Sequence, residues 1–160
     1  ASEILNQFMY AELSEKKTHG LIRIPWLIKK GLQGNFKPKI ISQSKILTRF
    51  DCSKSIGYIA ATNIVDYLQM KLKKQSFHIA VANEIFPTGV LGYYAQPLIK
   101  DNLVIVFGTT PNLVKFIDGK EKVLGTNPLA IGLSTAEKEY ILVDITSAQS
   151  SFGNILYFQI

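Results

Sequence analysis

The spacing of apolar residues along the chain predicts an alternation of helices and strands. Ile4, Leu5, Phe8, Met9 and Leu13 recur at helical intervals and predict an opening helix with one apolar face. Pro25 suits the first turn of a second helix, PWLIKKGLQG, which Gly31 or Gly34 can end. The stretch NFKPKIISQSKILTRFDCSKSIG reads as loop and short strand. From Tyr58 to Lys74 the pattern is strongly helical. Ala61, Ile64, Val65, Leu68 and Leu72 form a stripe, and Lys71, Lys73 and Lys74 fall in the last turn, where cations suit the helix dipole. FHIAVANEIF then reads as a strand, PTGVLGYYAQPLIKDN as a turn leading into a short helix limited by Pro97, and NLVIVFGT, KVLGTNPLAIGLS and EYILVDITS as three more strands. Helices mixed with strands in this order predict an α/β fold, a mixed sheet with flanking helices. The long apolar runs predict a sheet covered on both faces.

A chain of 160 residues, 47% of them hydrophobic and 19% charged, can bury one substantial core and is not a disordered segment. No apolar run is long enough to span a bilayer, so no membrane partner is expected. The opening ASEILNQFMYAELSEKK has neither the basic start nor the compact apolar block of a signal peptide, and a cytoplasmic setting is expected. With Cys52 the only cysteine, an internal disulfide and a multi-cysteine zinc site are excluded, and no metal is expected. The net charge of +6 comes from scattered pairs, Lys16–Lys17, Lys29–Lys30 and Lys73–Lys74. Aromatic and basic residues do not interleave along any strand, so the excess reads as solvated surface and no nucleic-acid partner is expected.

Three stretches carry candidate chemistry. In THGLIRIP, His19 and Arg23 are four apart and share a face if one helix holds both. An imidazole exchanges protons near neutral pH and a guanidinium clamps a carboxylate bidentately, so the pair suits a carboxylate beside a hydroxyl or carbonyl; a surface role is the alternative. IFPTGVLGYYAQ is a tight turn or a phosphate-approaching loop, but without G-x-G-x-x-G it lacks the Rossmann fingerprint. KVLGTNPLAIGLS sets Gly125, Thr126, Asn127 and Pro128 between apolar arms, either as a plain turn or as polar groups held at a strand end for a ligand. Downstream, Asp144, Thr146, Ser147, Ser150 and Ser151 can bind ribose or phosphate, or cap a helix.

Taken in order, a Thr-His-Gly-x-x-Arg-x-Pro start, a G-x-x-G-Tyr-Tyr turn, Leu-Gly-Thr-Asn-Pro-Leu-Ala-Ile and an Asp-x-x-Ser strand end resemble the type-2 malate/L-lactate dehydrogenase family, which includes ureidoglycolate and sulfolactate dehydrogenases. The resemblance covers nearly the whole chain. It implies a non-Rossmann, sulfolactate dehydrogenase-like fold, and hydride transfer between NAD or NADP and a small 2-hydroxy or 2-keto acid, usually by a homodimer. Residues 1–50 are then the helical, substrate-side segment, and residues 51–160 the nucleotide-binding-like α/β domain. Members of the family are roughly twice this length, so the chain is expected to be a portion of such a protein.

Carried over position by position, the resemblance makes His19 the catalytic acid–base group. It makes Arg23, Thr126 and Asn127 substrate-binding. Pro128, Asp144, Ile145, Thr146 and Ser147 fall on the cofactor side. The pattern also departs from the family. Pro87 and Thr88 stand where the family has His-Phe of Asn-His-Phe-Gly, Leu27 where it has a tyrosine, Gly108–Thr109 where it has Thr-Asn, and Asp118–Gly119 where it has Gly-Gly. The alternative is therefore a catalytically inactive relative that keeps the fold to bind a metabolite or a partner.

Overall fold

The computed structural model describes residues 2–29, 37–137 and 139–149. Gly31, Gly34, Ser150 and Ser151, singled out above, lie outside the described residues. The chain forms two compact units. The first is Ala1–Glu15 with Gly20–Gly89, and the second is Lys16–His19 with Val90–Ile160. Along the chain the two units meet between Glu15 and Lys16, between His19 and Gly20, and between Gly89 and Val90.

The first unit holds helices α1 (Ser2–Leu13), α2 (Ile24–Lys29) and α3 (Gly57–Leu72), and strands β1 (Lys39–Gln43), β2 (Leu47–Asp51) and β3 (Ile79–Asn83). The strands form one mixed sheet in the order β1-β2-β3. β1 runs antiparallel to β2, and β3 parallel to it after the crossover through α3. The loop-and-strand stretch of the sequence is thus two paired strands. The two form a hairpin, and the long-range pairing that a local pattern does not carry is that of β2 with β3.

Helix α3 supplies the largest share of the first unit's core. Tyr58 packs with Phe8, Leu27 and Ile56, while Ala60 and Ile64 pack with Phe50 and Cys52. Edge-on ring contacts of 5.4 Å between Phe8 and Tyr58 and 5.2 Å between Phe50 and Tyr67 tighten both clusters. No side chain caps the start of α3; the Gly57 N–H instead reaches the Phe86 carbonyl at 3.4 Å. Burial pushes the Cys52 thiol up to about 11, which makes it an inert core group.

The predicted face of α1 is corrected. Gln7, Phe8 and Ala11 are buried, whereas Leu5, Met9 and Leu13 are exposed. The helix is rotated because Gln7 is drawn inward, where its amide donates to the Thr88 carbonyl at 3.3 Å. Buried polar groups favour hydrogen-bonded positions, and this contact is one that holds the helix in its observed phase.

The second unit holds helix α4 (Leu91–Ala95), a 3₁₀ helix over Gln96–Asp101, and strands β4 (Val104–Phe107), β5 (Pro128–Ser134) and β6 (Tyr140–Thr146). The strands form an antiparallel sheet in the order β4-β5-β6. Helix α4 and the 3₁₀ helix cover one face, burying Leu91, Tyr94, Leu98, Ile99, Val104 and Ala130. Register places Ile105, Phe107, Leu133, Ile141, Val143 and Ile145 together on the opposite face, where all six are exposed. The expectation of a sheet covered on both faces is therefore met on only one side among the described residues. Successive residues of a strand face opposite ways, and here the covered side takes the small Ala130 and Gly132 while the large aliphatics line the other. Only the second arm of KVLGTNPLAIGLS is strand; Val123 and Leu124 are exposed and Leu124 makes an isolated bridge to Val114.

Candidate functional site

The bend before β5 answers the question its composition poses. Thr126 is 4% exposed, and its N–H donates to Thr110 Oγ1 at 2.7 Å. The two threonine hydroxyls lie 3.1 Å apart. The Thr110 N–H donates to Asn127 Oδ1 at 3.2 Å. From the end of β6, Thr146 Oγ1 donates to the Thr126 carbonyl at 2.6 Å, and the Ser147 N–H and hydroxyl reach the same oxygen at 3.1 and 3.2 Å. Asn127 sits at φ 36, in the left-handed region that asparagine tolerates. A Cβ at Gly125 would collide with the Thr110 carbonyl and the Asn127 amide, so that position must be glycine.

The polar groups of the bend are therefore mostly spent on holding the bend itself. Asn127 Nδ2 is a side-chain donor of the bend that has no hydrogen-bond partner among the described residues. Thr126, Asn127 and Pro128 are brought together with Thr146 and Ser147. Pro128 pairs with Thr146 at the start of β5 and its carbonyl accepts from the Gly108 N–H at 3.1 Å. Ile145 projects from the opposite face of β6, with the exposed aliphatics.

Asp144 lies one turn of the pleat from this cluster and is also engaged. Its Oδ2 accepts the Gly92 N–H at the start of α4 at 2.8 Å and pairs with Lys16 Nζ at 3.0 Å. His19 closes a 3₁₀ turn in the same unit, its N–H donating to the Lys16 carbonyl at 2.8 Å and its Nδ1 lying 3.1 Å from Thr18 Oγ1. Neither Thr110 nor Lys16 stands out in the sequence. Thr110 is one of two adjacent threonines, and Lys16 is half of a pair that reads as surface charge.

Arg23 belongs to the first unit, at the end of a 3₁₀ turn over Leu21–Arg23. The two residues are not on one helix as their spacing allows, because Gly20 separates two 3₁₀ turns. The Arg23 guanidinium lies 5.9 Å from the Trp26 ring centre. Burial lowers its pKa, with the nearby Tyr58 opposing, while burial pushes the Tyr58 phenol up to about 12. A half-buried arginine over an aromatic face is a pre-organised clamp for a planar anion such as a carboxylate.

Among the described residues no cluster of acidic, histidine or cysteine side chains is arranged to hold a metal ion, and no helix is long and apolar enough to cross a membrane. The L-sulfolactate dehydrogenase of Methanocaldococcus jannaschii is 27% identical over 155 residues, covering 93% of this chain and 44% of that protein. The malate dehydrogenase of Pyrococcus horikoshii is 26% identical over 152 residues, covering 92% and 42%. The chain thus spans less than half the length of the curated relatives it matches. In three dimensions it superposes on the crystal structure of malate dehydrogenase from Entamoeba histolytica with a TM-score of 0.85 at 26% identity, covering 98% of this chain and 45% of that one. Residues 1–159 match the malate/L-lactate dehydrogenase family, and the chain belongs to it.

Proposed function

We propose that these residues serve an NAD- or NADP-dependent dehydrogenase that interconverts a small 2-hydroxy acid and its 2-keto acid. The observation that carries the reading is the internally braced Gly-Thr-Asn-Pro bend, within a chain whose relatives are named malate and sulfolactate dehydrogenases. When bound, the nicotinamide supplies or takes up the hydride. Arg23 holds the substrate carboxylate through two parallel hydrogen bonds. His19 exchanges the proton at the C2 oxygen, a contribution on the order of 10²–10⁴ in rate. Thr126 supports Asn127, whose free Nδ2 donates to a ligand oxygen. The side chains of Thr146 and Ser147 fit a bracing role better than a ligand-binding one, since their hydroxyls are given to the Thr126 carbonyl. Pro128, Asp144 and Ile145 shape the cofactor side without offering a free donor. The division of labour between residues 1–50 and 51–160, the homodimer and the cytoplasmic setting are part of the same proposal.

The test is steady-state kinetics of the purified full-length protein with NADH or NADPH and a panel of 2-keto acids. We expect Arg23→Lys to raise KM for the keto acid at least about tenfold, because an ammonium cannot make the bidentate contact. His19→Gln is expected to remove most of kcat. A folded wild-type protein that turns over no 2-keto acid with either cofactor refutes the reading. The inactive relative is then favoured, and Pro87 motivates it: that position and Thr88 offer no titratable group where the resemblance calls for a histidine.

A further inference from the structure

Lys16 lies outside every motif. Its neighbour Lys17 is exposed, as a surface lysine should be, but the Lys16 side chain is only 33% exposed. Its Nζ donates to the Asp144 carbonyl at 2.8 Å and pairs with Asp144 Oδ2 at 3.0 Å. Asp144 is itself 12% exposed in its side chain, and the same Oδ2 receives the Gly92 N–H. One ammonium thus grips two acceptors of a single residue that is already anchored to the start of α4.

The grip has a topological consequence. Lys16–His19 is a four-residue excursion: the chain leaves the first unit after Glu15, packs with the second, and returns to the first at Gly20. Glu15, the residue before the excursion, sits at φ 59. The His19 N–H closes its turn on the Lys16 carbonyl, so the position of residue 16 is passed directly to the backbone of residue 19. Thr18 then meets the His19 ring at Nδ1.

We propose that Lys16 is a positioning residue for His19, its two-point grip on Asp144 holding the Lys17–His19 turn in the second unit. This rests on His19 being the acid–base group. The Lys16 side chain keeps a third of its exposure, so solvent screens part of the pair's strength, and the effect is read from placement of the turn. Displacing a catalytic group by about 1 Å can cost on the order of 10²-fold in rate.

The experiment compares Lys16→Met and Lys16→Arg with wild type in the full-length protein. Three readouts are taken: the His19 imidazole resonance, identified by its loss in His19→Gln; the rate of tryptic cleavage after Lys17; and kcat and KM. In Lys16→Met the His19 resonance should move or broaden while that of His78 stays in place. Cleavage after Lys17 should rise about tenfold, and kcat should fall about tenfold or more with KM within about twofold. Lys16→Arg, which can still reach the carboxylate, should restore all three. An unchanged His19 resonance and unchanged cleavage in a folded Lys16→Met protein overturn the proposal, whatever happens to the rate. If the wild type has no dehydrogenase activity, the functional reading fails, but the resonance and cleavage readouts still decide whether Lys16 holds the turn.

Discussion

Replacing Thr110 by valine tests whether the bend at residues 125–127 is held by its own polar network. Valine keeps the branched shape, so it opens no cavity and leaves the backbone preference unchanged. It removes the oxygen that accepts the Thr126 N–H at 2.7 Å and meets the Thr126 hydroxyl at 3.1 Å. Thr126 is buried, so its N–H has no water to turn to. An orphaned buried donor costs about 1–3 kcal/mol and the lost hydroxyl pair about 0.5–1.5 kcal/mol, giving roughly 2–4 kcal/mol in all. Thr126→Val is the control: it removes only the hydroxyl pair, leaves the N–H bonded to Thr110, and should cost about 0.5–1.5 kcal/mol. Urea unfolding followed by circular dichroism measures both, with a drop in melting temperature of about 2–4 °C per kcal/mol as a second readout. The difference between the variants isolates the N–H. Equal costs for the two would show that this donor is satisfied elsewhere and that the bend is braced by something other than Thr110.

Two further outcomes follow from the first unit. His78 accepts from the Gln75 amide at Nδ1, which places its proton on Nε2 toward Thr48 at 2.9 Å, and Thr48 in turn meets Tyr67 at 2.8 Å. Burial, with Lys71 nearby, lowers its pKa below the ordinary 6.5. The unfolded chain therefore takes up this proton first as pH falls, so the stability tied to neutral His78 is complete above about pH 6.5 and drains away below it, down to the folded pKa. Urea midpoints at about pH 7.5 and about pH 5.5 should diverge more in wild type than in His78→Gln; equal divergence would acquit this histidine. At Gly57, an added Cβ would lie 2.7 Å from the Phe86 carbonyl carbon and 2.8 Å from its nitrogen. Gly57→Ala gains at most about 1 kcal/mol of helix propensity against an overpacking cost of about 1–3 kcal/mol, so it should lower the urea midpoint, and a raised midpoint would contradict the close approach.

Local pattern was a good guide where one element's own residues decide its state. The stripe Ala61, Ile64 and Val65 located α3 because a helix of 16 residues carries enough turns for its period to stand out. It failed for α1, where the apolar set Leu5, Met9 and Leu13 points outward and a glutamine points in. The phase of a short helix is set by its partners, and one partner of Gln7 is 81 residues away. The same limit applied to the candidate chemistry. His19, Arg23 and the Thr-Asn-Pro turn were legible as residue types in an order, but Thr110 and Lys16 were not, since each matters only through an atom far along the chain.

Residue order alone therefore determined the family, the α/β class and the candidate groups, because these depend on periodicity, turn chemistry and short motifs that are written locally. Which polar groups remain open to a ligand was decided only by the tertiary structure. Hydroxyls and carboxylates at 110, 126, 144, 146 and 147 look equally available along the chain, yet folding commits each of them to a partner and, among the described residues, leaves the Asn127 amide nitrogen outstanding. The physical reason is that a buried polar group must find its partner wherever the fold brings one, so its availability is a property of distances between strands and not of sequence.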